Sequence, residues 1–348
     1  MATAGTMLAT IEKWATERPD DPALHARRPD GTWAITTWGG YLDAVRRVGK
    51  GLMTLGVQPA DCVAIVGANR PEWVICQHGI NAAQAIPAPL YATLLPDQMA
   101  YIIDNAQAKV AICDVREQLD KYLAIADGGK SSIEHIVTMD DLGVDDPRVI
   151  TLDSLMEEGE AIDDSELDAR IDAVKPDDVA LLIYTSGTTG EPKGAMFTHT
   201  GIELIGSSTA EIYPSLISTE NAYISYLPLC HAAEQGMTNF TGLRTGGKTY
   251  FCPDIAGVKD FLTAVRPTIF LAVPRVWEKF ESALRGRMAE ATGWKGALAS
   301  WALARELEGF EREAAGESGA SWSRSLANKL VISKIKGALG LDRLRLAA

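Results

Sequence analysis

Short, unbroken apolar runs alternate along the chain with longer stretches whose apolar positions recur at helical spacing. "DCVAIVGAN" (Asp61 to Asn69) predicts a strand, and "PEWVICQHGINAAQ" predicts the helix behind it. Pro71 suits a first helical position, where its missing N–H is no loss. "AIPAPLY", "KVAICDV", "EHIVTM" and "DDVALLIYT" predict further strands, with "LPDQMAYIIDNAQ" as a helix among them. Runs apolar at every position suit strands covered on both faces. The pattern therefore predicts an α/β fold, with mostly parallel sheets flanked by helices. At the start, Leu8, Ile11, Trp14 and Ala15 share one face of an amphipathic helix.

Further on, "AYISYLPLCHAAEQGM", "GKTYFCPD" and "RPTIFLAVPRVWEKFE" each place a strand before a turn or helix. From Glu278 to about Lys336 the pattern is polar and helical with Ala-rich faces. Leu344 and Leu346 then alternate with Arg343 and Arg345, a strand pattern. The acidic stretch Met139 to Asp178 reads as a solvated connector holding one or two short helices. The expected division is a first α/β subdomain with that connector (1–178), then a second α/β portion with a helical insert (179–348).

Composition narrows the function. The 348 residues are 47% hydrophobic and 23% charged, as in ordinary globular proteins. A net charge of −13 speaks against nucleic acid as a partner, since phosphate backbones select basic faces. No apolar run reaches the length of a membrane span, and the start lacks the basic and apolar regions of a signal peptide. Five scattered cysteines with no C-x-x-C pair suggest reduced thiols and a cytoplasmic location. From Arg324 to Arg345 six basic residues stand against Asp342, which suits a solvated helix face or contact with an anionic membrane surface.

The candidate chemistry lies in "YTSGTTGEPKG", Tyr184 to Gly194, straight after the apolar run "VALLI". Gly187, Gly190 and Gly194 can adopt positive φ and let backbone N–H groups converge on an anion. Thr185, Ser186, Thr188 and Thr189 add hydroxyl donors, and Lys193 adds a positive charge on a flexible stem. Such a set suits polyphosphate. It differs from the G-x-x-x-x-G-K-[ST] loop, because Pro192 stands where the second Gly would be. Pro192 also disfavours helix at Glu191, so the loop is expected to form a flap between strands. A mobile hairpin without a ligand is the bland alternative.

The string from Thr185 to Gly194 resembles, at every position, the phosphate-binding signature of the adenylate-forming superfamily. "SYLPLCHAAEQ", "FLAVPRVWEKF", "AIVGANRPEWV" and "AIPAPLYATLLPDQMAYIIDNAQAKVAICD" are similar to blocks of the long-chain acyl-CoA synthetases within it, in the family's order. The resemblance implies activation of a fatty carboxylate by ATP and Mg²⁺ to an acyl-adenylate, followed by transfer to coenzyme A. Thr185, Ser186, Gly187, Thr188, Thr189, Gly190 and Lys193 would hold the outer phosphates, with the Thr185 hydroxyl on Mg²⁺. Lys193 and His231 would be the catalytic side chains. His231 reads either as a pocket histidine or as a core histidine bonded to backbone. Met237 and Phe240 read either as acyl-tunnel lining or as core. His25, His78, His135 and His199 read as structural.

The family's later motifs and its C-terminal lid domain have no counterpart in these residues. The resemblance thus implies an incomplete N-terminal large domain, with weak nucleotide binding and no thioester formation alone. Uncovered strand edges would then favour self-association. Loading of a carrier protein and a non-catalytic nucleotide- or lipid-binding remnant, or a split subunit, are the alternative readings.

Overall fold

The structure, a computed structural model, describes residues 2–129, 131–185, 190–290 and 292–347, with side chains at all of these except 287–289. The chain forms two compact units, Met1–Gly257 and Val258–Ala348.

In the first unit, β1 (Pro22–Arg27) and β2 (Trp33–Thr37) pair as an antiparallel hairpin. The strands β3 (Cys62–Ile65), β4 (Ile86–Pro89), β5 (Val110–Cys113), β6 (His135–Thr138) and β7 (Val149–Thr151) form a parallel sheet in the order β4-β3-β5-β6-β7. The chain steps outward from β3 to β4, then crosses back to β5. That reversal opens a crevice at the carboxyl ends of β3 and β5, where such sheets bind ligands. Next, β8 (Val179–Thr185) and β9 (Lys193–Thr198) pair antiparallel. Finally, β10 (Ala222–Ser225) and β11 (Lys248–Phe251) run parallel, and β11 pairs parallel with β1.

The unbroken apolar runs do become the buried parallel strands, and the helix Pro71–Ala82 behind them is buried at every residue but Glu72. One expectation needs correcting. The run "VALLIYT" forms a strand, but its ladder partner is the antiparallel β9, not a parallel neighbour.

The β1–β2 hairpin and the helix Trp38–Thr54 carry no strong sequence signal. β2 shows no alternation of buried and exposed positions. The helix contains Gly39, Gly40, Gly49 and Gly51, each of which lowers helix propensity. Packing explains them in part. A Cβ on Gly79 of the facing helix would collide with Val48, and one on Gly51 with the Leu155 backbone, so these helices approach too closely for larger residues. Trp38, Tyr41, Val45, Val48 and Leu52 then bury at helical spacing, and Thr37 caps the N-terminus by accepting from Gly40 N–H. The acidic connector holds the helices Leu152–Glu158 and Asp164–Ala173.

The second unit is mostly helical: Val258–Val265, Pro274–Glu290, Gly293–Ala314, Trp322–Ala327 and Ser333–Leu339. Its two short strands, β12 (Ile269–Phe270) and β13 (Leu346–Ala347), pair in parallel. The tail's Arg324 is already engaged by Glu306 and Glu313. No described helix is long and apolar enough to cross a membrane.

Candidate functional site

β8 ends at Thr185 and β9 begins at Lys193, and these two residues are register partners across the hairpin. Paired strands therefore close the base of the Gly- and Thr-rich string. Ser186, Gly187, Thr188 and Thr189 lie outside the described residues. Gly190 has φ +145°, a conformation that side-chain-bearing residues rarely adopt. Gly194 is needed for a different reason: a Cβ there would stand 3.1 Å from the Tyr184 ring across the ladder. Tyr184 in turn donates its hydroxyl to Asn105 Oδ1 at 2.8 Å, seating the hairpin on the helix Pro96–Ala106. On that helix the Tyr101 phenol is held above its ordinary range, first by desolvation and then by the Glu191 carboxylate beside it.

Thr185, Gly190 and Lys193 are all exposed. Among the described residues, the Lys193 ammonium has neither a hydrogen-bond nor an ion-pair partner. An exposed cation and a hydroxyl held across from each other by a ladder, beside a glycine at positive φ, form a donor set suited to an anion.

His231 lies beyond the carboxyl end of β10, at the start of the helix Ala232–Gln235. Its ring is exposed, and Nδ1 accepts from the Ala233 N–H at 3.1 Å. With Nδ1 so occupied, Nε2 is left as the donor of the neutral ring. Tyr91, just past β4, meets the ring edge-on at a centroid distance of 6.5 Å. His231 is therefore no core histidine, although backbone fixes its orientation. Among the described residues no hydrogen bond or ring contact joins it to the β8–β9 hairpin. Phe240 packs in the core against Phe197, and Met237 is half-buried. His25, His78 and His199 are buried, and burial pushes each of them down to about 4.

Sequence reading missed the polar network beneath His231. Asn69, past the carboxyl end of β3, donates to Ser225 Oγ at 2.9 Å and to the Leu227 carbonyl at 2.8 Å. Glu234, only 2% exposed, accepts from the Leu227 N–H at 3.0 Å and from the Thr238 hydroxyl at 2.6 Å. Burial pushes its carboxyl up to about 7. Deeper still, the Gln77 and Gln235 amides bond reciprocally at 2.8 and 3.1 Å, and Asn239 donates to both. This network ties the reversal of the first sheet to the loop that carries His231. One signal was available: Gln235 and Asn239 stand one helical turn apart, as do Glu234 and Thr238, so each pair can meet on one face of a helix.

Comparison with known proteins adds an independent line. A profile of the AMP-binding enzyme family matches residues 11–326. A long-chain-fatty-acid–CoA ligase, ACSBG2 from Xenopus laevis, is 33% identical over 339 residues, which is 96% of this chain and 45% of that protein. The chain spans about half the length, or slightly less, of the curated relatives it matches. Among solved structures, the anthranilate CoA ligase AuaEII in complex with anthranoyl-AMP superposes with a TM-score of 0.65 at 23% identity. That match covers 77% of this chain and 49% of the other. The adenylation domain of a carboxylate reductase from Mycobacterium chelonae superposes with a TM-score of 0.65 at 18% identity, covering 98% and 53%.

Proposed function

The chain belongs to the AMP-binding enzyme family, and from that premise we propose that it supplies the nucleotide-phosphate site of an ATP-dependent long-chain fatty-acid–CoA ligase. The observation that carries this reading is the exposed Thr185–Lys193 pair at the base of the hairpin, with no internal partner for the lysine among the described residues. A carboxylate is a poor electrophile, and linking it to AMP gives it a good leaving group. Departure of pyrophosphate builds negative charge on its oxygens, which fixed donors stabilise. The Lys193 ammonium would bind those oxygens, and the string from Thr185 to Gly190 would add hydroxyl and amide donors. Mg²⁺, reached by the Thr185 hydroxyl, would neutralise charge on the same oxygens.

His231 fits beside the reacting carboxylate: its outward Nε2–H can donate to a carboxylate or phosphate oxygen while Nδ1 stays locked to backbone. The buried network under it keeps the loop from shifting as charge develops. The fatty acid and coenzyme A enter as co-substrates. Long-chain ligase relatives favour a fatty carboxylate.

Lys193→Ala tests the reading. It should weaken binding of Mg²⁺–ATP by about 10- to 150-fold, the worth of one charge-assisted hydrogen bond. Equilibrium titration with a fluorescent ATP analogue would measure this. Equal affinity in the two proteins would remove the lysine, and with it the phosphate site, from the proposal.

A further inference from the structure

The helix Pro96–Ala106 turns two polar side chains, one helical turn apart, toward the β8–β9 hairpin: Tyr101 and Asn105. Asn105 Oδ1 accepts from the Tyr184 hydroxyl at 2.8 Å, and the Tyr184 ring faces Gly194 across the ladder. Tyr101 is half-buried, with its ring packed against the apolar cluster that also holds Tyr184. Its hydroxyl is thereby fixed, and it stands within hydrogen-bonding reach of the Glu191 carboxylate. One helix face thus meets both arms of the hairpin.

Glu191 carries the charge that could spoil the site. It is exposed and lies two residues before Lys193, no more than about 7 Å along the backbone. Pro192 stands between them, and its locked φ leaves that short link little freedom. A loose carboxylate so close would pair with the Lys193 ammonium or repel an anion bound to it. Among the described residues no ion pair joins the two side chains. The carboxylate is taken up at Tyr101 instead.

From this arrangement we infer that Tyr101 is a positioning residue of the phosphate site: it holds Glu191 against the helix Pro96–Ala106 and so keeps the Lys193 ammonium open to polyphosphate. The inference rests on the phosphate reading of Lys193. It extends that site to a side chain far back in the sequence, outside the Gly- and Thr-rich string.

Competition of Mg²⁺–pyrophosphate with a fluorescent ATP analogue tests it on four whole chains: the natural one, Tyr101→Phe, Glu191→Gln and the double variant. Tyr101→Phe should weaken pyrophosphate by about two- to fivefold, the worth of one exposed ion pair newly formed between Glu191 and Lys193. Glu191→Gln should bind at least as tightly as the natural chain, and adding Tyr101→Phe to it should cost nothing further. A phenol that served the fold alone would cost the same in both backgrounds. The gap between Tyr101→Phe and the natural chain should also narrow as salt rises, because an exposed competing pair is screened. An equal loss in both backgrounds, or no loss in either, would overturn the inference. Urea-unfolding midpoints show that each variant is folded under the titration conditions. Lys193→Ala in the same competition separates the two readings. If it weakens pyrophosphate while the tyrosine effect is absent or uncoupled from Glu191, Tyr101 loses its role and the phosphate site stands. If it binds as the natural chain does, the phosphate site falls, and this inference with it.

Discussion

The two units differ in how they treat several of their large aromatic side chains. In the first, Trp38, Trp73, Tyr41 and Tyr122 are all at or below 2% exposure, and their polar neighbours are knitted into a hydrogen-bonded network. In the second, Trp294 is 72% exposed, Trp322 79% and Phe310 63%. A tightly filled interior holds its shape at high local stability and suits the placing of reacting groups. Helices with half-covered apolar faces suit the capture of something else apolar. The contrast locates precision of geometry in one unit and adaptable contact in the other.

Substitutions that invert the contrast rank by size. Trp73→Ala should be the most damaging, lowering stability by about 3–5 kcal/mol through lost burial and the cavity left behind. The midpoint of urea unfolding of the first unit would show it. A loss under about 1 kcal/mol would mean that this interior is looser than its burial implies.

Glu234→Gln comes next, and its effect depends on pH. Burial raises this carboxyl from 4.5 to about 7, so in that window the folded unit holds a proton that the unfolded chain has released. The stability this provides is fully present below pH 4.5, declines as pH rises, and is gone above about 7, a change on the order of 3 kcal/mol. His25, His78 and His199 work in the other direction. Their folded values near 4 give stability that is present above 6.5 and lost as pH falls toward 4. Between pH 6.5 and 4.5 the two effects oppose each other in the natural chain. The glutamine variant should therefore lose stability more steeply on acidification, as read by unfolding at several pH values. Parallel profiles would show that Glu234 does not titrate in that range.

Thr198→Ala removes the cap whose hydroxyl accepts from Gly201 N–H at 3.1 Å, and should cost the helix His199–Ile212 about 1 kcal/mol. Faster amide exchange in its first turn would report this. Trp322→Ala should change stability by less than about 0.5 kcal/mol, because so exposed a ring has little burial to lose. A large effect there would mean that the exposed tryptophan is engaged by something.

Legibility in the sequence followed the same physical lines. β3, β5 and β6 could be read because a strand covered on both faces has to be apolar at every position. The Thr185–Gly194 string stood out as a candidate site because so many hydroxyls and glycines together have few structural uses. The helix Trp38–Thr54 was obscured by glycines whose value lies only in how closely its neighbours approach, which no local pattern records. Asn69 and Glu234 escaped for a related reason. Asn69 makes sense only with a partner from a distant part of the chain, Ser225, and Glu234 only with the fold of the loop from Leu227 to Thr238, whose first residue Asn69 also grips.

The helical stretch that follows His231 widens into a π turn over Gly236–Gly242 before returning to ordinary pitch at Leu243–Thr245. Such a turn accommodates one residue more than an α-helix needs. Removing a single residue there would let the backbone return to regular pitch while the turns on either side keep their relative orientation. The same deletion from a regular helical turn would rotate the flanking segments by about 100° against each other. This stretch can therefore shorten by one residue without re-aiming the imidazole of His231, and such a deletion should leave the far-ultraviolet spectrum unchanged.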